Sequence, residues 1–380
     1  MSATSGFISG NADESRSLVV VFLRGGADGL ALVPPLGDDD YQKARPRLRV
    51  TEREGVKLDG FFGLHPHLKP LQPLYAEGQL AVVTGAGSED TSRSHFEAQD
   101  LMEHGGTAGG GWLGRFLRYR PATNEGKKPQ NSALSAIAVG KELPECLRGA
   151  PAASVMQSID EFSLGAGAAR FSSQLQKLYA AEENDLGAAG RDTLDALRRI
   201  EQLRKTPYST ASGAVYADDD FAQGLRQIAR LIKARVGLEA ASIDLGGWDS
   251  HFTQSTLIDP LMLRLGAGLA AFTRDMGRWM DSTTVVVMTE FGRRLVENAS
   301  FGTDHGRASV MFVLGGGVRG GQVLGRWPGL QSGVLDGPGD LPVTTNYRNV
   351  LAPILRRHGM GDDMRLVFPR FLVEPINLYT

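Results

Sequence analysis

With one cysteine in 380 residues, Cys146, the chain has no internal disulfide framework and no zinc site built on a cysteine cluster. No uninterrupted apolar run approaches the roughly 20 residues that cross a bilayer, so no membrane span is expected. An excess of one charge is missing too: 41 Lys plus Arg stand against 43 Asp plus Glu, a net charge of -2. That balance gives no global attraction to nucleic acid or to acidic membranes. Residues 1–16 lack a positive n-region and an apolar h-region, so no secretory signal is read there and a disordered lead-in is expected. There is no repeat of solenoid period. What the chain has in excess is glycine, 48 residues, about 13% against a usual ~7%. Without a Gly-X-Y period, this points to many tight loops on an ordered scaffold.

The scaffold reads as α/β. Residues 18–23, Leu18-Val19-Val20-Val21-Phe22-Leu23, form a continuous apolar run of strand formers, as in a parallel strand buried on both faces. Similar runs recur at 79–84, 134–139, 241–245, 283–289 and 309–314. Helical stripes lie between them: Phe221, Leu225, Ile228 and Ile232, then Leu261, Leu265, Phe272 and Met276, then Val350, Ile354 and Leu355. Asp259 and Pro260 read as the N-cap and first position of the second helix. This alternation predicts a three-layer αβα sandwich with a mostly parallel central sheet, one domain over 17–380. Residues 165–220, rich in Ala, Gly and charge, are expected to be a helical insertion.

Ligands of such sheets bind beyond the carboxyl ends of the strands, and four strand-end loops there carry reactive groups. Asp28 reads either as a turn residue of Ala27-Asp28-Gly29 or as a metal ligand. Asp249 and His251, two apart, share one face of an extended segment. A carboxylate oxygen with an imidazole nitrogen suits zinc, manganese or iron; the other reading is a capped helix start or surface loop. Glu290 is either a ligand or an ion-pair partner of Arg293. Asp304 and His305 form another Asp-His pair, but they precede the 309–314 run. They reach the same edge only if that strand is antiparallel. Ser92 or Ser94 reads as the cap of a helix within 92–104, leaving Phe96, Leu101 and Met102 for the core. A serine there is also placed to attack an anionic ester, with Arg93 holding phosphate or sulfate oxygens and a metal activating the hydroxyl. His65-Pro66-His67 reads as a metal pair or as plain loop. His104 and His358 take no role. The glycine stretches form neither a Walker A motif nor a GxGxxG fingerprint.

Five ordered motifs resemble a known family: Phe22-Leu23-Arg24-Gly25-Gly26-Ala27-Asp28-Gly29, Arg93-Ser94-His95-Phe96-Glu97-Ala98-Gln99, Gly247-Trp248-Asp249-Ser250-His251, Thr289-Glu290-Phe291-Gly292-Arg293 and Gly302-Thr303-Asp304-His305-Gly306. The family is bacterial, known as the domain of unknown function numbered 1501, and grouped with the alkaline-phosphatase-like superfamily of phosphatases and sulfatases. The likeness runs over nearly the whole chain from about Ser17. It implies a nucleophile beside one or two metals: Ser94, with Ser92 as the alternative. Asp28 resembles the ligand of the nucleophile-side metal, Asp249 and His251 those of the other, and His305 its last histidine. Glu290 stands where the superfamily has an Asp-His pair, so one histidine is missing, and Asp304 is the candidate replacement. No Cys-x-Pro-x-Arg signature occurs, so a formylglycine sulfatase is not expected.

The resemblance implies a metal-dependent hydrolase of phosphate or sulfate esters with a small anionic ester substrate. Zinc is the first expectation for the ion, with manganese, calcium or magnesium as alternatives. The other readings are a non-catalytic binding protein on a degraded site, or a metal-dependent phosphotransferase or isomerase. Oligomeric state and compartment stay open, although the resemblance implies periplasmic export for many members.

Overall fold

A computed structural model of the chain describes residues 16–120, 132–160 and 168–379. The expected lead-in therefore lies outside the described residues except for Arg16, as do residues 165–167 of the expected insertion.

The strands are β1 (Ser17–Arg24), β2 (Val56–Lys57), β3 (Gly63–Leu64), β4 (Leu80–Gly87), β5 (Ala136–Val139), β6 (Ser154–Met156), β7 (Ala240–Gly246), β8 (Thr283–Met288), β9 (Ser309–Gly315), β10 (Gln322–Leu324) and β11 (Thr345–Asn346). The helices are α1 (Gly29–Leu32), α2 (Asp39–Ala44), α3 (Gln72–Ala76), α4 (His95–His104), α5 (Trp112–Tyr119), α6 (Ala168–Ala180), α7 (Asp185–Lys205), α8 (Asp220–Lys233), α9 (Gln254–Met276) and α10 (Tyr347–Arg357).

Nine strands form one sheet in the order β10-β4-β9-β8-β1-β7-β5-β6, with β11 also on β4; β2 and β3 make a separate hairpin. β1 pairs in parallel with both β7 and β8. It is covered on both faces, which explains its unbroken apolar run. Val19, Val21 and Leu23 enter one core with Leu225 and Ile228 of α8 and Leu265 and Phe272 of α9. Leu18, Val20 and Phe22 enter the other, with Leu113 and Phe116 of α5 and Val350 and Ile354 of α10. The period-2 alternation of a strand thus divides one apolar run between two cores, and the expected αβα sandwich is what forms.

β9 pairs antiparallel with both neighbours, β4 and β8. Among the described residues of the large sheet it is the one reversed strand, so its N-terminal end lies at the carboxyl edge of the others. Between β6 and α8 the described chain forms α6 and α7.

Two local expectations are corrected. α9 starts at Gln254, after Thr253, so Asp259 is not its cap and Pro260 lies inside the helix. Phe96 is 86% exposed rather than in the core, because α4 turns Ala98 and Met102 inward. α9 and the 3-10 turn after it, Gln254–Ser282, are long and apolar enough by composition to cross a bilayer. Leu261, Met262, Leu265, Leu269 and Phe272 of this helix lie in the core.

Candidate metal centre

The carboxyl edge gathers the turn after β1, the loop from β4 into α4, and the loops after β7 and β8. The reversal of β9 delivers residues 302–306 to the same place. His305 shows what they build. Its Nδ1 lies 2.9 Å from the carbonyl oxygen of Arg93. A carbonyl only accepts, so Nδ1 donates and Nε2 carries the lone pair. Burial, opposed by the Asp249 hydrogen bond, holds this imidazole below its ordinary pKa, which favours the neutral ring. That Nε2 is 3.1 Å from Asp249 Oδ1 and 2.9 Å from His251 Nε2. His251 Nε2 is in turn 3.0 Å from the same Asp249 oxygen, while its Nδ1 faces Asp304 Oδ1 at 3.5 Å.

His95 adds a fourth group. Its Nδ1 is 2.8 Å from Glu290 Oε1, and a carboxylate there directs Nε2 the other way, 3.5 Å from Asp249 Oδ2. That Nε2 is buried without a hydrogen-bond partner. His95, Asp249 and His305 each offer a ligand atom within 4.8 Å of the others. Imidazole lone pairs and a carboxylate converging at these distances repel unless a cation or shared proton lies among them. The donor set of nitrogen and hard oxygen fits zinc, and also manganese or iron.

Charges around the group are tuned by identifiable neighbours. Burial raises the Asp249 carboxyl, but the hydrogen bond and charge of Arg293, with the neighbouring imidazoles, outweigh it and bring the pKa to about 2. Glu290, also desolvated, is held below the usual carboxylate range by His95, Gln99 and backbone N–H groups. Its hydrogen bond in turn raises the His95 pKa. Glu290 Oε1 accepts from Gly25 N at 2.9 Å and Gln99 Nε2 at 2.8 Å, and its Oε2 lies 2.9 Å from Thr289 Oγ1, whose one proton is shared with Leu23 O at 2.8 Å. Glu290 positions His95 in the way outer-shell carboxylates orient ligating histidines. Buried Arg293 donates to Gly26 O at 2.7 Å, Thr303 O at 3.0 Å and Asp249 Oδ1 at 2.8 Å, joining three loops. The Phe291 ring lies 4.9 Å from the His95 ring and 4.8 Å from the His305 ring. A Cβ on Gly26, whose φ is +65°, would sit 2.4 Å from Phe291 Cε2, so glycine is required for this packing.

The residues singled out in the sequence therefore separate. Asp249, His251 and His305 come together. Asp304 stands behind His251, accepting from Asn298 Nδ2 at 3.2 Å and Arg294 Nη1 at 3.4 Å. Asp28 does not join them. It is 1% exposed, pairs with fully buried Arg45 at 2.6 Å, accepts from Gln254 at 2.7 Å and caps α1. The ion-pair reading given to Glu290 placed Arg293 as its partner, but Arg293 is spent on backbone carbonyls and Asp249. Arg93 is also corrected: its guanidinium binds buried Asp340 at 2.6 Å and Gly337 O at 2.8 Å, so its contribution is the carbonyl that orients His305. Ser94 caps α4 with a long 3.5 Å contact to Glu97 N. Ser92 donates to Asp90 at 2.9 Å. The residue that sequence reasoning missed is His95, although it stood inside a quoted motif. A histidine beside the candidate nucleophile, with a glutamate at another strand end, was the available signal.

The family model described as "Protein of unknown function (DUF1501)" matches residues 81–378, and the chain belongs to that family. No curated protein matches it. Among solved structures, the C-terminal periplasmic domain of EcEptC from Escherichia coli, in complex with Zn, is 10% identical. That match covers 95% of this chain and 88% of that one at a TM-score of 0.38. The phosphonate monoester hydrolase of Agrobacterium radiobacter is 9% identical, covering 95% and 79% at 0.35. The alkaline phosphatase of the Antarctic bacterium TAB5 is 9% identical, covering 78% and 91% at 0.28. At such identities these structures say nothing of this chain's substrate.

Proposed function

We propose that this chain is a metal-dependent hydrolase of phosphate or sulfate esters, with the cation held by His95, Asp249, His251 and His305. One observation carries the reading: imidazole lone pairs aimed at a shared carboxylate, with the buried Nε2 of His95 left unpartnered beside them. A bound cation would supply Lewis acidity to an anionic ester and lower the pKa of a nearby hydroxyl. The chain's own residues supply the rest. Ser94 is the nucleophile: it precedes His95 at the start of α4, where helix N–H groups and the dipole favour anionic oxygens. Its capping contact uses the oxygen as acceptor and leaves the hydroxyl proton free to leave. Ser92 is the weaker choice because Asp90 already takes its proton. Glu290 holds His95, and the Arg93 carbonyl holds His305, each in the tautomer that turns Nε2 inward.

The test is metal analysis of the purified protein with aryl phosphate and aryl sulfate turnover. Ser94→Ala is expected to keep its metal and lose hydrolysis. Asp249→Ala and His305→Ala are expected to lose both. A protein that binds no metal and turns over neither ester after loading with zinc, manganese, calcium or magnesium would overturn the reading.

A further inference from the structure

Two features remain outside that centre. His65-Pro66-His67 plays no part in it, and Asp259 caps no helix. Asp259 is instead the sixth residue of α9, an interior position where aspartate is a poor helix former, and Pro260 follows it. The fold brings the three side chains together. His65 Nε2 lies 3.8 Å from Asp259 Oδ1, and His67 Nε2 lies 3.5 Å from Asp259 Oδ2. The two imidazole rings are 5.2 Å apart and tilted by 30°. One ligand atom from each of the three residues falls within 4.8 Å of the others.

These separations are long for hydrogen bonds. They are close to the spacing of donor atoms around a tetrahedral ion, where bonds of about 2.0–2.1 Å put neighbouring donors about 3.3–3.4 Å apart. A contraction of a few tenths of an ångström would bring them there. The two supporting elements are already locked. Leu68 and Leu71 of the 3-10 turn Pro66–Leu71 are fully buried. On α9, a Cβ added at Gly266 would lie only 3.3 Å from His67 O, so the two backbones approach closely. Pro66 fixes the backbone between the histidines. The site therefore needs little ordering to bind.

We propose that His65, His67 and Asp259 form a second metal site, separate from the centre at the strand ends. It takes a divalent first-row ion that accepts mixed nitrogen and oxygen donors, zinc foremost. Three protein ligands leave at least one coordination position, and the 44% exposure of His67 opens it to solvent. Binding through His65 Nε2 moves its proton to Nδ1. This releases the 3.3 Å contact that Nδ1 now accepts from His67 N, a small cost for so long a hydrogen bond.

The experiment counts zinc equivalents on the full chain by calorimetric titration of metal-free protein, checked by elemental analysis after desalting. It compares wild type, His67→Ala, Asp259→Asn, and the double variant Asp249→Ala/His305→Ala. Wild type is expected to bind one equivalent more than His67→Ala, and Asp259→Asn to weaken that equivalent at least tenfold. The double variant, with the strand-end centre dismantled, is expected to keep it. Should His67→Ala bind as many equivalents as wild type, or the double variant bind none, the second site does not exist. Because the double variant isolates this site, its failure and failure of the strand-end centre give different patterns. His67 is half-exposed, so its replacement leaves the core intact; unchanged far-UV circular dichroism and melting in metal-free buffer check this.

Discussion

Asp28→Asn separates a ligand role from a structural one with almost no change of shape. Asp28 Oδ2 accepts from Arg45 Nη1 at 2.6 Å and from Gln254 Nε2 at 2.7 Å. Its Oδ1 accepts from Leu30 N at 3.1 Å, Ala31 N at 3.3 Å and Arg45 Nη2 at 3.1 Å. Every partner is a donor, so an amide nitrogen at either position faces donors and loses its bonds. The charge of fully buried Arg45 is left without a counter-charge, and breaking a buried pair costs about 3–5 kcal/mol. An unfolding entropy of about 2.1 cal/mol/K per residue gives about 0.8 kcal/mol per degree for a chain of this length, hence a melting point lower by roughly 4–6 °C. The assay is thermal unfolding in metal-free buffer together with metal content after loading. We expect the fall in melting temperature with metal binding retained, and partial recovery in Asp28→Leu/Arg45→Met, where neither charge is buried. An unchanged melting point with metal lost would refute this account and return Asp28 to the ligand set.

Three further outcomes follow from the same geometry. Glu290→Gln can keep an oxygen for His95, Gln99 and Gly25 but removes the carboxylate charge behind His95, and metal affinity in a competitive chelator titration should fall about 10–100-fold; equal affinity would mean that the charge of Glu290 does not support His95. Gly302→Ala would place a Cβ 2.2 Å from the carbonyl carbon of His251, so the two loops must part and metal affinity should drop even though no ligand is altered; retained affinity would show that loop spacing does not set the site. His358, 8% exposed, donates or accepts at Thr284 Oγ1 over 3.0 Å, and burial, aided by the charges of Arg16, Arg357 and Arg120, brings its pKa down to about 3. Below pH 6.5 the unfolded chain takes up this proton and the folded one does not, so the stability is present above pH 6.5 and lost as pH falls toward 3. At about 1.4 kcal/mol per pH unit, wild type should lose about 3 kcal/mol by pH 4 that His358→Gln does not, as read from urea unfolding at pH 7 and pH 4; parallel losses in both would rule the histidine out as the cause.

The strands were legible because continuous apolar runs have few alternatives in a chain of this class, and β1 is buried on both faces as such runs require. What decided the site lay far apart in the chain. His95 gains its role from Glu290, 195 positions away, and no local pattern announces that pairing. Ala27-Asp28-Gly29 has the same letters whether the aspartate is a turn residue, a cap or a ligand; Arg45 and Gln254 decide between them. Asp259-Pro260 carries a real local start signal, yet α9 begins six residues before Pro260, at Gln254. Thr253 sits before it with φ +41° and its N–H bonded to Ser300 O, a tertiary contact that short-range reasoning does not see.

The direction of β9 had to be observed, because an apolar run reads the same either way along a sheet. Its consequence for the centre can be sized. β9 is seven residues long, about 23 Å at ~3.3 Å per residue. Were it parallel to β8, the loop ahead of it would open at the far edge, and His305 would stand on the order of 20 Å from Asp249 instead of 3.1 Å. Reversed between β4 and β8, the strand brings its entry loop against the β4–α4 connection, where the Arg93 carbonyl takes the His305 proton at Nδ1. The same connection then supplies Ser94 and His95. Sheet order therefore does more than gather these side chains: it puts the loop that sets the tautomer of His305 and the helix start that carries Ser94, the proposed nucleophile, into one covalent segment, so on the proposed reading a displacement of that segment alters metal binding and attack together.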